Sequence, residues 1–280
     1  MPAIPLEAKR VRKPWGRSTL PAGFDPVPRG GAPVGEIIFE GGEHGPSDLI
    51  LKYLFTSEKL SIQVHPNDTS ARARGQPNGK DEAWVVIEAE PDARLGLGVK
   101  APVTLDELRE AALDGTIEAL VDWRIVRIGD CIYSPGGTIH AIGARLTIVE
   151  VQQNSDVTYR LFDYGRPRDL HLQDGLAEVD LDSRPQPQPS VALGGRRTRL
   201  ATGPAFQVER IDGPAKGRLS PPSASALWLL PLAGTALVDE VPLTVGGCWL
   251  LRQPSHLRLE AGGALLLAYT GGTTREVWRI

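Results

Sequence analysis

The chain has 280 residues and a formal net charge of −3, and its 31 Gly and 24 Pro are spread along its whole length. A charge so close to neutral gives no electrostatic reason to expect nucleic acid or an anionic membrane as a partner, so we expect neither. The two cysteines, Cys131 and Cys248, are too few for a disulfide framework, and no apolar run is long enough to span a bilayer, which predicts a cytoplasmic protein.

Frequent Gly and Pro indicate many turns between short elements, which predicts a mainly β fold. The first forty residues are expected to form an irregular arm that Trp15 anchors. After it, strands are predicted at 35–39, 49–55, 59–65 and 83–89, because turn-forming residues bound each apolar stretch. His44 falls in a predicted exposed loop between the first two of these strands.

A small helical insertion at about 102–121 interrupts the strands. Thr104 and Glu107 form a capping-box pattern at its start and Gly115 is a typical helix stop, after which a second short helix is predicted at 116–121. Strands are predicted to resume at 123–128, 131–134, 145–152 and 157–163.

The stretch 181–190 separates two predicted domains. It contains Pro185, Pro187 and Pro189 between polar residues, which is typical of an extended linker. An N-terminal domain therefore covers residues 1–180 and a C-terminal β domain covers residues 191–280, with strands predicted at 206–211, 226–232, 235–238, 248–252 and 264–269.

One predicted strand, 59–65, carries different chemistry on its two sides. Side chains on a strand alternate between faces, so Leu60, Ile62 and Val64 share an apolar face. Gln63 and His65 share the opposite, polar face. This alternation is typical of a strand with one solvated side, and a pair of metal ligands is the alternative interpretation.

The segment 129–140 fits the pattern Gly-x5-Pro-x-Gly-x2-His, which begins at Gly129 and ends at His140. It resembles the second sequence motif of the cupin superfamily, whose members are small double-stranded β-barrels with a metal bound by strand residues. The resemblance implies a mainly β fold of two cupin-like barrels, or jelly rolls, with the helical insertion in the first barrel.

Three further stretches point to one family. These are Gln-x-His-Pro-Asn at 63–67, Gly-Lys-Asp-Glu at 79–82 and the run 150–164. Together they resemble the class I phosphomannose isomerases, in particular their short bacterial form, and weaker similarity extends over residues 14–170.

The resemblance implies one Zn²⁺ per chain, bound by His65, Glu82 and His140, with Gln63 as a fourth contact. Two imidazoles and one carboxylate suit a catalytic zinc with an open position, although the same ligands accept other divalent ions. Asp81 should point away from the metal, because neighbours on a strand face opposite sides.

The resemblance also implies a small sugar phosphate as the partner and the interconversion of mannose 6-phosphate and fructose 6-phosphate as the reaction. The family places an active-site arginine at Arg160. If residues 154–156 form a hairpin turn, Glu150 opposes Arg160 and is a candidate general base. Lys80 is the competing candidate, and the sequence leaves the choice open.

The second barrel lacks a set of residues with metal-ligand spacing, so we expect it to be structural and to cover the apolar side of strand 59–65. Two other functions stay open. One is a cupin isomerase that acts on another phosphorylated sugar, and the other is a non-catalytic sugar-binding cupin that retains its metal. The sequence also leaves open the oligomeric state and the residues that bind phosphate.

Overall fold

The computed structural model describes residues 3–42, 47–222, 225–271 and 277–279. His44 therefore lies outside the described residues. Within these ranges there are four helices, which are α1 (Asp68–Ala73), α2 (Leu105–Asp114), α3 (Ile117–Leu120) and α4 (Leu172–Glu178). None of these helices has the length and apolar character that crossing a membrane requires.

Strands make up most of the regular structure. Before the proline-rich stretch 181–190 these are β1 (Ala3–Pro5), β2 (Lys9–Arg17), β3 (Val34–Glu40), β4 (Leu49–Thr56), β5 (Ile62–Val64), β6 (Glu82–Ala89), β7 (Arg94–Val99), β8 (Val121–Ile125), β9 (Cys131–Ser134), β10 (His140–Ile142), β11 (Leu146–Gln153) and β12 (Tyr159–Phe162). After it come β13 (Val191–Gly194), β14 (Arg197–Thr202), β15 (Gln207–Asp212), β16 (Ala215–Leu219), β17 (Leu227–Ala233), β18 (Thr235–Val238), β19 (Val241–Thr244), β20 (Trp249–Leu251), β21 (Ser255–Leu259), β22 (Ala264–Tyr269) and β23 (Trp278–Arg279).

The described strands form four sheets. A five-stranded sheet has the order β12-β5-β10-β7-β8, and a six-stranded sheet has the order β2-β3-β4-β11-β6-β9. The other two sheets have the orders β1-β20-β17-β22-β15-β14-β13 and β19-β18-β21-β16-β23. The mainly β, cupin-like fold predicted from the sequence is confirmed by this architecture.

The chain divides into two compact units. The central unit comprises Lys13–Arg17 and Leu54–Pro187, and the terminal unit comprises Met1–Arg12, Ser18–Tyr53 and Gln188–Ile280. The last boundary between the units along the chain, between Pro187 and Gln188, falls within the predicted linker 181–190. Residues 18–53, which the sequence-based boundaries assign to the first domain, group with the C-terminal strands in the terminal unit.

The helical insertion is confirmed. Thr104 and Glu107 form the capping box, since the Thr104 hydroxyl accepts from the Glu107 amide at 3.2 Å and the Glu107 carboxylate accepts from the Thr104 amide at 2.7 Å. Gly115 ends α2 in the left-handed region at φ 87°, where glycine is favoured.

The predicted irregular arm is wrong for residues 9–17, which form the nine-residue strand β2. Pro14 obscured this strand in the sequence, because proline cannot donate a ladder hydrogen bond. A strand at the edge of a sheet tolerates it, and β2 is such an edge strand. Trp15 is 2% exposed and belongs to the apolar core of the central unit.

The predicted cover of strand 59–65 by the second barrel is also wrong. Ile62 and Val64 are buried in one cluster with Leu108 of α2 and Leu176 of α4, so helices of the central unit cover this side. Leu60 belongs to a different cluster. The strand begins only at Ile62, and Leu60 therefore does not follow its alternation.

Candidate metal centre

Three strands of the central unit deliver the predicted ligands. His65 directly follows β5, Glu82 begins β6 and His140 begins β10. β5 and β10 are neighbours, with Gln63 directly opposite His140. β5 and β10 belong to the five-stranded sheet that begins with β12, whereas Glu82 lies on the six-stranded sheet. The candidate ligands therefore come from two different sheets.

The three side chains form one buried group. Their ligand atoms lie within 4.8 Å of one another. Nε2 of His65 is 3.3 Å from Oε1 of Glu82, and Nε2 of His140 is 3.5 Å from Oε2 of the same carboxylate. Each side chain is 2% exposed, so water is almost excluded. This group could bind one metal ion.

Hydrogen bonds on the far side of each ring orient the two imidazoles. Nδ1 of His65 lies 2.9 Å from the Val157 carbonyl oxygen, and Nδ1 of His140 lies 3.0 Å from the Thr138 carbonyl oxygen. A carbonyl oxygen only accepts, so each Nδ1 carries the proton and donates. Each Nε2 then carries a lone pair that can bind a metal, which is the usual arrangement of ligating histidines.

The Glu82 carboxylate supplies a test of whether a cation fits. Among the described residues, neither of its oxygens has a partner with hydrogen-bond geometry, although Nζ of Lys80 lies 2.9 Å from Oε1. A buried carboxylate without hydrogen bonds is costly unless a cation compensates it. Zn²⁺ bound by nitrogen and carboxylate ligands provides that compensation, and the donor set fits it.

The protonation states favour metal binding. Burial lowers the pKa of His65 to about 3, assisted by the nearby Lys80 cation, and burial also lowers the pKa of His140. Burial alone would raise the pKa of Glu82, but Lys80 and the two imidazoles outweigh it and hold this pKa well below its usual range. Neutral imidazoles and an ionised carboxylate are the forms that bind a metal.

Gln63 faces the same centre. Its amide nitrogen is 3.1 Å from Nε2 of His140 and 3.5 Å from Nε2 of His65, and its amide oxygen accepts from the Ser61 hydroxyl at 3.0 Å. Rotating the amide by half a turn exchanges its oxygen and nitrogen. The oxygen would then face the two imidazoles, and the nitrogen would donate to Ser61.

Lys80, two residues before Glu82, contacts the ligand group through its side chain. Its ammonium lies 2.9 Å from Oε1 of Glu82 and 3.3 Å from Nε2 of His65, and the residue is 5% exposed. The sequence-based candidate base is therefore in direct contact with two of the candidate ligands.

Glu150 is buried on β11, directly opposite Trp84 on β6. The Trp84 indole donates to Oε2 of Glu150 at 3.1 Å, and its ring centroid is 5.2 Å from that of His140. Trp84 thus connects the second candidate base to the ligand group. Sequence reasoning missed this role, although Trp84 follows Glu82 by two residues and so shares its face.

The predicted hairpin that pairs Glu150 with Arg160 is wrong. β11 belongs to the six-stranded sheet and continues to Gln153, whereas the next strand, β12, belongs to the five-stranded sheet. Arg160 pairs with Gln63 of β5 instead. Residues 154–158 therefore cross from one sheet to the other, and the equal spacing about Ser155 does not produce cross-strand neighbours.

Arg160 is fixed by the segment that leads into α4. Its backbone amide donates to Nδ1 of His171 at 3.3 Å and its carbonyl oxygen accepts from the His171 amide at 2.8 Å. Its guanidinium donates to the Asp169 carbonyl oxygen at 3.3 Å. Both backbone polar groups of Arg160 are therefore bonded to His171.

Comparisons with known proteins identify relatives of the chain. No protein-family model matches the chain. A mannose-6-phosphate isomerase of Streptococcus mutans serotype c is 32% identical over 265 residues, which cover 88% of this chain and 81% of that relative. A mannose-6-phosphate isomerase of Bacillus subtilis is 39% identical over 145 residues, 49% of this chain and 46% of that relative.

Solved structures support the same fold. The crystal structure of the mannose 6-phosphate isomerase from Bacillus subtilis has a TM-score of 0.84 at 23% identity, over 96% of this chain and 99% of that one. A variant of the phosphomannose isomerase from Salmonella typhimurium has a TM-score of 0.71 at 15% identity, over 97% of this chain and 100% of that one. From the extent and identity of the Streptococcus match, the chain belongs to the mannose-6-phosphate isomerase family.

Proposed function

We propose that the chain interconverts mannose 6-phosphate and fructose 6-phosphate as a zinc-dependent aldose–ketose isomerase. The observation that carries the proposal is the buried group of His65, Glu82 and His140, in which two imidazole Nε2 atoms and the Glu82 carboxylate lie within 4.8 Å of one another. The names of the relatives supply mannose 6-phosphate as the substrate, and fructose 6-phosphate is the ketose that an aldose–ketose isomerisation of it would form.

Zn²⁺ is the proposed metal, held by His65, Glu82 and His140 with the Gln63 amide oxygen as a fourth contact. When bound, it supplies a Lewis acid for the negative charge that develops on the sugar oxygens. Other divalent ions suit the same ligands, so zinc is proposed from the nitrogen-rich donor set.

A proton must leave C2 of the aldose and return to C1 of the ketose, and a side chain has to carry it. Glu150 and Lys80 are the two proposed bases. Burial of Glu150 and its bond from Trp84 fix a carboxylate near His140. The Lys80 ammonium lies 2.9 Å from Oε1 of Glu82, so it is already paired with one of the proposed metal ligands. We therefore propose Glu150 as the base and Lys80 as a cation that binds substrate oxygens.

Arg160 is proposed to hold substrate oxygens or phosphate through its guanidinium. Its position opposite Gln63 supports this role, because the two residues are direct cross-strand neighbours. Arg168 is a weaker candidate for phosphate, since its guanidinium already makes two bonds of 2.6 and 2.7 Å to Asp163.

A coupled assay tests the proposal. Formation of fructose 6-phosphate from mannose 6-phosphate should occur, should stop after treatment with a chelator and should return on addition of Zn²⁺. Turnover of a different phosphorylated sugar would favour the first alternative. Zinc and sugar binding without turnover of any aldose phosphate would instead favour a binding protein.

A further inference from the structure

The segments that carry the three ligands pack backbone against backbone beside the metal centre. A Cβ atom added to Gly79 would lie 2.6 Å from the Pro66 carbonyl oxygen, and one added to Gly136 would lie at the same distance from that atom. Such contacts are too short for any side chain, so both positions require glycine unless the backbone moves. The segments before Glu82 and before His140 thus approach the segment after His65 from two directions.

Backbone hydrogen bonds join these segments. The Lys80 amide donates to the Pro66 carbonyl oxygen at 2.9 Å, and the Gly137 amide donates to the His65 carbonyl oxygen at 2.8 Å. The Gly79 amide donates to Oδ1 of Asp68 at 2.9 Å. The segment after His65 is therefore tied to each of the other two.

Asp81 makes the third connection, between the segment of Glu82 and that of His140. Its Oδ1 accepts from the Gly136 amide at 2.8 Å and its Oδ2 accepts from the Tyr133 hydroxyl at 2.7 Å. The side chain is buried, and both of its oxygens are bonded to the segment 133–137.

The backbone of Asp81 is fixed as well. Its amide donates to Oε1 of Gln153 at 2.8 Å, and its carbonyl oxygen accepts from the Gln153 amide at 3.1 Å. The Gln153 side chain in turn donates to Oδ1 of Asp68 at 3.0 Å. The three ligand segments and the end of β11 are thereby joined in one hydrogen-bonded network, to which Asp81, the residue directly before Glu82, contributes both its side chain and its backbone.

We propose that Asp81 is a positioning residue of the metal centre, whose carboxylate holds the segment 133–137 against β6 so that His140 and Glu82 reach the same ion. Without that carboxylate the Gly136 amide is left without its acceptor, and the segment that leads to His140 is free to relax. Asp81 contacts neither the ligands' metal-facing atoms nor the proposed bases through its side chain. The inference rests on the proposed function, since it assumes that the ligand group binds zinc.

The test measures the affinity of the full metal-free chain for Zn²⁺, by competition with a chromophoric chelator. Asp81→Ala should bind zinc about 10–100-fold more weakly, as is usual when a partner behind the ligands is removed. Asp81→Asn keeps an amide oxygen for the Gly136 amide and should restore most of the affinity. Tyr133→Phe removes one of the two bonds and should cause a smaller loss.

Asp163→Ala is the matched control, because Asp163 is another buried carboxylate of the central unit and accepts bonds from two side chains, Arg166 and Arg168. It should lower the unfolding temperature while zinc affinity stays unchanged. If Asp81→Ala behaves in the same way, Asp81 is merely structural and the inference is overturned. Equal weakening in Asp81→Ala and Asp81→Asn also overturns it.

If Asp81→Ala fails to fold, Tyr133→Phe decides the question, and unchanged zinc affinity in that variant refutes the inference. An unmodified chain that binds no zinc removes both the inference and the proposed function. An unmodified chain that binds zinc and isomerises the sugar, beside an Asp81→Ala variant of equal zinc affinity, removes the inference alone.

Discussion

Nε2 of His65 lies 3.3 Å from Oε1 of Glu82, and both side chains are 2% exposed. The imidazole is neutral and its Nδ1 proton is donated to a carbonyl oxygen, so this close approach places a lone pair against a negative charge. Such an arrangement is unfavourable by itself and becomes favourable when a cation lies between the two groups. The predictions for the metal centre start from this pair.

Glu82→Gln should abolish tight zinc binding. The change removes the only carboxylate of the ligand group, and we expect the affinity to fall by at least about 100-fold, since partners behind the ligands are already worth 10–100-fold. Metal content after dialysis, measured by atomic emission, reads the result. Glu150→Gln is the matched control, because it neutralises another buried carboxylate and should retain the zinc. Equal zinc content in the two variants would contradict the assigned ligand set.

Arg160→Lys should slow turnover and leave zinc content unchanged. A lysine keeps the charge but loses the planar pair of donors, so we expect a barrier higher by about 2–4 kcal/mol. Steady-state kinetics measure the loss. Arg124→Lys serves as control, since Arg124 pairs with Asp122 and with the Pro185 carbonyl oxygen. Near-normal turnover in Arg160→Lys would remove this residue from the mechanism.

Deuterium exchange separates the two candidate bases. The carbon-bound proton passes through the base, which exchanges it with solvent, so product formed in D2O should contain deuterium. Lys80→Met should still incorporate deuterium at a reduced rate, whereas Glu150→Gln should not. The reverse pattern, read by NMR of the product, would assign the base to Lys80.

Two leucines of α2, Leu108 and Leu113, test whether this helix covers the apolar side of β5. Leu108 is fully buried in the cluster that contains Ile62 and Val64, whereas Leu113 is 66% exposed. Leu108→Ala should lower the free energy of unfolding by about 2–5 kcal/mol, and Leu113→Ala should change it by less than about 0.5 kcal/mol. Urea titrations measure both values. A loss of similar size in the two variants would mean that α2 does not cover β5.

Much of this architecture could be predicted from residue patterns. The capping box of Thr104 and Glu107 indicated the start of α2 and Gly115 indicated its end, because capping depends on neighbouring residues alone. The candidate ligands His65, Glu82 and His140 were predicted from motifs, and the structure brings their side chains together. The resemblance to a family supplied that grouping, since residue spacing does not specify which strands become neighbours.

Other features depended on contacts between distant residues. The 150–160 segment has the pattern of a hairpin, yet β11 and β12 join different sheets, and local spacing does not contain that choice. The partner of the Ile62 and Val64 face was missed for a similar reason. An apolar face requires a cover, but nothing in its own sequence identifies helices rather than a second barrel.

Glu209 in the terminal unit provides a pH prediction. Burial raises its pKa, despite the hydrogen bond from Tyr269 and the Arg197 guanidinium 3.0 Å away. The unfolded chain releases this proton at lower pH than the folded chain does. The contribution of Glu209 to the free energy of unfolding therefore falls as the pH rises above the ordinary pKa of glutamate.

Glu209→Gln should therefore gain stability relative to the unmodified chain as the pH rises above 4.5, the ordinary pKa of this side chain, by at most about 1.4 kcal/mol for each pH unit. Urea titrations at several pH values measure this difference. A difference that does not change with pH, or that changes in the opposite direction, would show that Arg197 outweighs burial.

The candidate ligands come from two sheets. His140 lies on the five-stranded sheet and His65 directly follows a strand of it, whereas Glu82 lies on the six-stranded sheet. A metal ion bound by residues of both sheets would link the two sheets as well as take part in the reaction. Its binding free energy then adds to the free energy of folding, by an amount that grows with the logarithm of the free metal concentration. The persistence of the folded chain in a cell would therefore depend on metal supply even when no substrate is present.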